Sequence, residues 1–285
     1  MILITGAAGK TGRAVLKALV EHGETVRVLV RRQEQAEELI RQGASAALVG
    51  EMTEPASYRE AMEGVNAAYH ICPNVHPEEV AIGRLAIESA RKCGLEHFVY
   101  HSVLHSQVEK MPHHWKKMKV EEILFESGLR YTVLQPAPYM QNILAVRDSI
   151  LKKGIFPVPY PVETKLSFVD LADLGRAAAI VLTEPGYKEA VFEIVGTRAI
   201  TQAELAALLS KVLEQPVAAE EVSGDQWREA VEKEGVDPLR IDTLLKMFEY
   251  YARYGLSGNS YTLTRLLGRE PHTLTSFIAR EFARH

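Results

Sequence analysis

Met1-Ile2-Leu3-Ile4-Thr5-Gly6-Ala7-Ala8-Gly9-Lys10-Thr11-Gly12 opens the chain, and the rest of the fold follows from it. The unbroken apolar and β-branched run at positions 1–5 predicts a strand that is buried on both faces. Apolar residues at helical spacing in Arg13–Val20 predict a helix directly after the glycines. Gly6 permits a tight turn, Gly9 lets a pyrophosphate approach the backbone, and Gly12 allows close packing of helix on strand. We therefore predict a phosphate-binding turn.

Lys10 and Thr11 stand between the second and third glycines, where the predicted helix begins. The N-terminus of a helix carries a partial positive charge, so both residues are candidate cofactor contacts. A glycine-rich turn without a ligand is the alternative, and the strand–turn–helix context disfavours it. The spacing Gly-x-x-Gly-x-x-Gly resembles the turn of the short-chain dehydrogenase/reductase superfamily, especially its extended and atypical branches.

Arg31 and Arg32 follow the second predicted strand, Thr25–Val30. In NAD-binding sites an acidic residue near this point accepts hydrogen bonds from the adenosine ribose. Two guanidinium groups suit instead the 2′-phosphate of NADP, which they bind through charge-assisted hydrogen bonds. A solvated strand end is the alternative. The pair therefore favours NADP (NADPH) over NAD as the cofactor.

Strand and helix patterns alternate without interruption through five predicted strands, of which the third to fifth are Ala46–Gly50, Asn66–Ile71 and His97–Ser102. This alternation predicts an α/β fold with a doubly wound, Rossmann-like parallel sheet and a smaller, mainly helical C-terminal lobe. The predicted NADP-binding domain comprises residues 1–136 plus about 166–196. The predicted lobe comprises residues 137–165 plus 197–285.

Residues at the ends of the third and fourth strands are candidate cofactor contacts, because ligands bind at the carboxyl ends of parallel strands. After the third strand these are Glu51 and Met52, which we expect near the adenine. At the end of the fourth strand they are Ile71, Cys72 and Pro73. Cys72 is interpreted as a packed or lining thiol rather than a nucleophile, because no catalytic motif accompanies it.

Composition disfavours several other classes of protein. The 285 residues are 47% hydrophobic and 25% charged, and the net charge of -4 gives no reason to expect nucleic acid as a partner. No apolar run reaches membrane-spanning length, and the first residues resemble a core strand rather than a signal peptide. The two cysteines make neither a disulfide framework nor a metal pair, so we expect a cytoplasmic protein without a metal site.

Ser102, Trp115 and Lys119 have the spacing of the active-site Ser, Tyr and Lys of short-chain dehydrogenases. By that resemblance Ser102 binds the substrate oxygen, and Lys119 holds the nicotinamide ribose. Trp115 replaces the tyrosine that serves as general acid, and an indole N–H cannot titrate. The ordinary proton donor is therefore absent.

Three hypotheses account for the missing donor. In the first, His113 or His114 supplies the proton, since each lies beside the vacant position at the start of the predicted helix His113–Ser127. The structural alternative is that both histidines are surface residues at this helix start. A strongly electrophilic substrate, such as a quinone or a cationic dye, takes a hydride while water supplies the proton. In the third hypothesis the site binds NADP without turnover. The four histidines between positions 101 and 114 indicate no coordination shell.

Ser127–Asn142 contains Ser-Gly, a predicted strand and a Met-x-Asn pair. Together with Val120-Glu121, Phe168–Asp173 and Leu267–Phe277, it resembles the NmrA-like family of atypical short-chain dehydrogenases/reductases. The resemblance covers essentially the whole chain, although Gln135 stands where the family has an arginine. By the same resemblance, further candidate cofactor contacts are Pro136 and Tyr139.

The resemblance implies an NADPH-dependent reductase that transfers a hydride to a quinone, a dye or a similar small electrophile. The alternative is a non-catalytic NADP(H)-sensing regulator that acts through a protein partner. A monomer or a homodimer is expected. A sugar-nucleotide epimerase or dehydratase is disfavoured, because those enzymes rely on the missing tyrosine.

Three stretches of the predicted lobe carry structural expectations. The prolines of Phe156–Pro161 exclude helix and central strand and predict a rigid loop. Thr201–Glu204 has the pattern of a capping box. Met247–Tyr254 carries four aromatic residues, which indicate a wall for a bulky, planar substrate or, as we favour, helix packing or a dimer face.

Overall fold

A computed structural model describes residues 1–282; residues 283–285 of the predicted lobe lie outside the described part of the chain. The strands are β1 (Ile2–Thr5), β2 (Val26–Val30), β3 (Ala46–Val49), β4 (Ala67–His70), β5 (His97–His101), β6 (Tyr131–Pro136), β7 (Ile155–Val158), β8 (Lys165–Leu166), β9 (Ala190–Ile194), β10 (Ile200–Thr201) and β11 (Ala218–Glu221). The helices are α1 (Lys10–Glu21), α2 (Gln33–Arg41), α3 (Pro55–Met62), α4 (Glu79–Lys92), α5 (Pro112–Phe125), α6 (Arg147–Lys153), α7 (Leu171–Thr183), α8 (Gln202–Leu213), α9 (Gly224–Lys233), α10 (Pro238–Tyr254), α11 (Tyr261–Leu267) and α12 (Leu274–Phe282), with a 3-10 helix at Met140–Val146.

Seven strands form one parallel sheet in the order β3-β2-β1-β4-β5-β6-β9. The chain winds outward in one direction from β1 through β3 and in the other from β4 through β9. The order reverses between β1 and β4, and a crevice opens at the carboxyl ends of the strands at such a point. The predicted doubly wound parallel sheet is therefore confirmed, and the glycine turn after β1 lies at the reversal.

Apolar faces of helices cover the sheet and explain why its central strands are buried. Leu3, Phe98 and Val133 of the strands belong to one buried cluster with Tyr58 of α3 and Val120 of α5. Helix α1 packs against α7, and a Cβ added at α7's Gly175 would lie 2.5 Å from the carbonyl oxygen of Ala14. The two helices therefore approach at backbone distance.

The chain divides into two compact units. The first contains Met1–Gln107, His113–Pro136 and Leu171–Ile194, and thus the seven-stranded sheet. The second contains Val108–Pro112, Ala137–Asp170 and residues from 195 onward, and it holds two small sheets, β7 with β11 and β8 with β10. Within residues 1–282 no helix combines the length and the apolar character needed to cross a membrane.

The prediction of a loop at Phe156–Pro161 is wrong at its beginning. Phe156, Pro157 and Val158 belong to β7, which pairs with β11 in parallel. In a two-stranded sheet each strand has one free edge, so the missing N–H of Pro157 removes no ladder bond when it faces that edge. Phe156 and Val158 are buried, which supplies the apolar alternation that the prolines obscured.

Two other predictions for the second unit are confirmed. The Thr201 side chain accepts a hydrogen bond from the Glu204 amide, and Glu204 returns one to the Thr201 amide, which completes the capping box. On α10, the Phe248 ring packs edge-on against Trp227 of α9 with ring centroids 4.9 Å apart, and Tyr251 is buried beside Tyr160. Phe248 and Tyr251 therefore serve packing within the second unit, whereas Tyr254 is exposed.

Candidate functional site

The glycine turn has the geometry of an anion site. Gly9 is the N-cap of α1 and offers no side chain to cap it, and the first helical turn carries no acidic residue. The positive end of the helix dipole is therefore uncompensated by a side chain. Gly6 has φ +62°, and a Cβ there would lie 2.7 Å from the carbonyl oxygen of Ile71, whereas a Cβ at Gly12 would lie 2.5 Å from Ala7 Cα. Gly6 and Gly12 thus serve close packing, whereas a Cβ at Gly9 would meet only the Gly6 carbonyl oxygen, at 3.4 Å.

Arg13 braces this turn against α2. Its Nε donates to the Ala8 carbonyl oxygen at 3.0 Å, and its two terminal nitrogens donate to the carboxylate of Glu38 at 2.6 and 2.9 Å. The hydrogen bond from Arg13 holds the pKa of Glu38 below its ordinary value. Arg31 and Arg32 are exposed between β2 and α2, and Arg32 is the N-cap of α2. The ion pair therefore links the turn to the helix that begins at the two candidate phosphate ligands.

The candidate residues at the ends of β3 and β4 differ in exposure. Glu51 is exposed and Met52 is buried, so the two present different side chains to any ligand. Ile71 and Cys72 are buried and Pro73 is half-buried. Burial raises the pKa of Cys72 far above its ordinary value, so the thiol keeps its proton, as expected of a packed thiol rather than a nucleophile.

Helix α5 presents a different lysine to the sheet from the one that the spacing indicated. Lys119 is exposed, whereas Lys117 is buried on the face that also carries Val120 and Leu124. Residues three or four positions apart share one face of a helix, as Lys117, Val120 and Leu124 do. Lys119 is the neighbour of Val120 and is therefore turned about 100° away from this face. The structure therefore places Lys117, not Lys119, on the face of α5 toward the sheet, while the assignment of Ser102, Trp115 and Lys119 to the site stays a prediction.

Lys117 lies in a buried polar cluster at the carboxyl ends of β4 and β5. Its Nζ donates to Glu79 Oε1 at 3.0 Å and to the His101 carbonyl oxygen at 3.2 Å. Tyr100 donates from its hydroxyl to the same Glu79 oxygen at 3.0 Å. Burial raises the pKa of Glu79, but the Lys117 charge and the two hydrogen bonds outweigh burial and leave that pKa below its ordinary value. The cluster is a fully buried ion pair.

Ser102 is buried directly after β5 and donates a hydrogen bond to Glu121 of α5. Gln135 donates from Nε2 to both oxygens of Glu121 at 3.0 Å. The neutral amide of Gln135 thus stands where the family's arginine would place a cation. Because the Ser102 hydroxyl donates its hydrogen bond to Glu121, its oxygen can only accept a hydrogen bond from a ligand. For Ser102 to donate to a substrate carbonyl oxygen, the hydrogen bond to Glu121 would have to break.

The interpretation of His113 and His114 as surface residues is wrong, since both are buried. Burial, followed by the charge of His114, lowers the pKa of His113 to about 2, and burial lowers the pKa of His114 to about 4. Both rings are therefore neutral near pH 7, a protonation state poorly suited to general acid catalysis. That either ring supplies the proton stays a prediction, which their burial in the neutral form disfavours.

His70, in the wall of the same region, leads to a prediction for acid stability. Burial lowers the pKa of His70 in the folded protein to about 4, whereas its pKa in the unfolded chain is about 6.5. Between these two pH values the unfolded chain binds a proton at His70 and the folded chain does not. Stability should therefore fall as the pH drops from about 6.5 to 4, by up to about 1.4 kcal/mol per pH unit from this residue. His70→Phe should lose about 2 kcal/mol less than the wild type between pH 7 and pH 5 in urea denaturation. Parallel losses in the two proteins would contradict this assignment.

Pro136 ends β6 and is buried, and Tyr139 is half-buried in the second unit. Both stay predicted cofactor contacts. Sequence reasoning missed Glu79, Lys117 and Glu121. The spacing of Val120 and Leu124 on α5 was the available signal for the last two, since each lies three residues before one of these apolar positions. In the described chain no three His, Cys, Asp or Glu side chains are grouped to hold a metal ion.

Comparison with known proteins gives matches over the full length. The chain is 29% identical over 279 residues to the NAD(P)H azoreductase of Xenophilus azovorans, covering 97% of this chain and 96% of that protein. The NADPH complex of the NADPH-dependent quinone oxidoreductase of Escherichia coli superimposes with a TM-score of 0.87 at 27% identity, over 99% of this chain and 100% of that one. The NADP(H) complex of Citrobacter sp. triphenylmethane reductase has a TM-score of 0.86 at 23% identity, over 98% and 99%, and this similarity concerns the fold.

The family assignment follows from a match that is not confined to the glycine turn. The model of the NmrA-like family matches residues 1–278, which include the whole sheet, α5 and the first half of α12. The chain therefore belongs to the NmrA-like family.

Proposed function

We propose that the protein is an NADPH-dependent reductase that transfers a hydride to a quinone, a dye or a similar small electrophile. The observation that carries the proposal is the glycine turn after β1, where the N-terminus of α1 has no side-chain cap and a side chain at Gly9 would have room, together with two exposed arginines after the neighbouring strand β2. Full-length similarity to an NAD(P)H azoreductase and to a quinone oxidoreductase supports it. The protein is expected to act in the cytoplasm, as a monomer or a homodimer.

Each part of the cofactor has fitting residues on the chain. Backbone groups at the start of α1 would bind the pyrophosphate, and Arg31 with Arg32 would bind the 2′-phosphate. Glu51 and Met52 stay the candidates for adenine contact. When bound, NADPH supplies the hydride, and Ile71–Pro73 would lie beside the nicotinamide at the carboxyl end of β4.

Lys117 replaces Lys119 as the proposed lysine of the site. Its ammonium group lies at the carboxyl ends of β4 and β5, the edge at which ligands bind in such sheets. Two of its bonds go to Glu79 and His101, which fix the position of Nζ. The charge would therefore be held at one place near the nicotinamide ribose, whereas exposed Lys119 has no such support.

Cofactor preference should depend on the two arginines. Replacing both Arg31 and Arg32 with alanine should remove most of the preference for NADPH over NADH, which we expect to be about 1–3 kcal/mol. Calorimetric titration with the two cofactors measures the difference. Arg41→Ala, at the far end of α2, is the matched control and should leave the preference unchanged. Equal affinities of the wild type for NADPH and NADH would refute the assignment.

NADPH oxidation with a panel of quinones, triphenylmethane dyes and azo dyes tests the proposed function. Rapid turnover of at least one acceptor by the wild type is the expected result. Tight NADPH binding with no turnover of any acceptor would favour the alternative, an NADP(H) sensor that acts through a protein partner. Absence of NADPH binding would overturn both.

A further inference from the structure

The turn after β5 is held in place on both sides of His105. Before it, Ser102 is bonded to Glu121, and the Leu104 amide donates to the Pro136 carbonyl oxygen at 2.9 Å. After it, Ser106 accepts a hydrogen bond from Gln135 Nε2 at 3.1 Å. The backbone of this turn is therefore fixed at the carboxyl end of the sheet, the edge at which ligands bind in this class of fold.

His105 itself has an uncommon conformation for a residue with a side chain. Its φ is +57°, in the left-handed region that favours glycine. The Nδ1 of His114 lies 3.3 Å from the His105 carbonyl oxygen, and because a carbonyl only accepts, this nitrogen carries the hydrogen. A contact from α5 thus stabilises a strained residue at the predicted site, and strain of this kind is concentrated at functional positions.

Accessibility separates His105 from the other histidines of the region. His101, His113 and His114 are buried, and burial lowers the pKa of each to between about 2 and about 4. The side chain of His105 is half-buried and reaches solvent. Two titratable groups of α5 contact this turn. His114 lies close enough to interact electrostatically with His105, and Glu121 accepts the hydrogen bond from Ser102. Of these four histidines, His105 is the one that is partly accessible to solvent.

We propose that His105 is the proton donor that replaces the missing tyrosine in the reduction of quinones, an inference that rests on the proposed reductase function. Bound NADPH would supply a hydride, and the electron pair of that hydride would form the new bond to the quinone. The oxygen that becomes negative takes the proton from the His105 imidazolium, which leaves a neutral imidazole. Solvent returns one proton to the ring. The balance is one quinone, one NADPH and one proton consumed, and one hydroquinone and one NADP⁺ formed.

Two classes of substrate distinguish a role of His105 as proton donor from a purely structural role. A quinone needs both a hydride and a proton, whereas the cationic carbon of a triphenylmethane dye becomes neutral on taking a hydride alone. Asparagine tolerates the left-handed conformation and does not titrate, so His105→Asn tests the ring with little change of backbone. His22→Asn is the control, because His22 follows α1 at the opposite end of that helix from the glycine turn.

His105→Asn should lower kcat for a quinone about 100-fold, keep kcat for a dye within about twofold, and leave the Kd for NADPH unchanged. Added imidazole should restore part of the quinone activity of this variant. His22→Asn should behave as the wild type on both substrates.

Equal losses on quinone and dye, or no loss on either, would overturn the proposal. A wild type that reduces dyes but no quinone would overturn it also, because the donor would then have no reaction to serve. A wild type that reduces no acceptor of the whole panel refutes the proposed function itself, so the two failures are distinguishable.

Discussion

Gly9→Val should abolish NADPH binding, with at least a 100-fold rise in Kd, while the protein stays folded. Gly9 has φ −77° and ψ 163°, a conformation that valine adopts readily. A Cβ at this position would meet only the carbonyl oxygen of Gly6, at 3.4 Å, so the turn itself has room for a side chain. The branched side chain would instead fill the space before the N-terminus of α1, where the pyrophosphate is expected.

Calorimetric titration and thermal unfolding measure the two sides of this prediction. Gly12→Ala is the matched comparison, because its Cβ would lie 2.5 Å from the Ala7 Cα and from the Gly6 carbonyl oxygen. That variant should unfold at a clearly lower temperature, while Gly9→Val should keep the wild-type Tm. If Gly9→Val bound NADPH with normal affinity, the turn would be only a structural element.

Lys117→Met should destabilise the protein by about 3–5 kcal/mol, because it leaves the carboxylate of Glu79 buried without its cation. Methionine matches the length and the apolar stem of lysine, so packing changes little. Tyr100 still donates to Glu79, but a neutral hydroxyl does not replace the lost charge. Urea denaturation at pH 7 measures the loss.

Lys119→Met provides the control on the same helix, two residues away and exposed, and should change stability by less than about 0.5 kcal/mol. The double variant Lys117→Met/Glu79→Gln should recover part of the loss, since it removes the unpaired buried charge. Equal stability of the two single lysine variants would show that the Glu79–Lys117 pair contributes little.

Local pattern sufficed for the elements that depend on near neighbours in the chain. The strand at β1, the glycine turn and the capping box at Thr201 each follow from residues within about a dozen positions. Strand–helix alternation also predicted the parallel sheet, because a parallel connection needs a crossover and a helix supplies it. The arginines after β2 and the residues after β3 and β4 were predicted as cofactor contacts in the same way, from their place at strand ends.

The polar cluster required the tertiary structure. Glu79 and Lys117 are 38 residues apart, and Ser102 and Glu121 are 19 apart, so neither pair lies within the span of a helical or strand repeat. Burial settled which residues of α5 face the sheet, and the spacing borrowed from a related motif selected Lys119 instead of Lys117. The strand at Phe156–Val158 was missed for a similar reason: proline excludes a central strand by local rules, but pairing with β11, more than sixty residues later, leaves its nitrogen at a free edge. Sequence determined the strands and helices of the main sheet and the glycine turn, whereas contacts between distant residues decided which side chains became buried, charged or accessible at the predicted site.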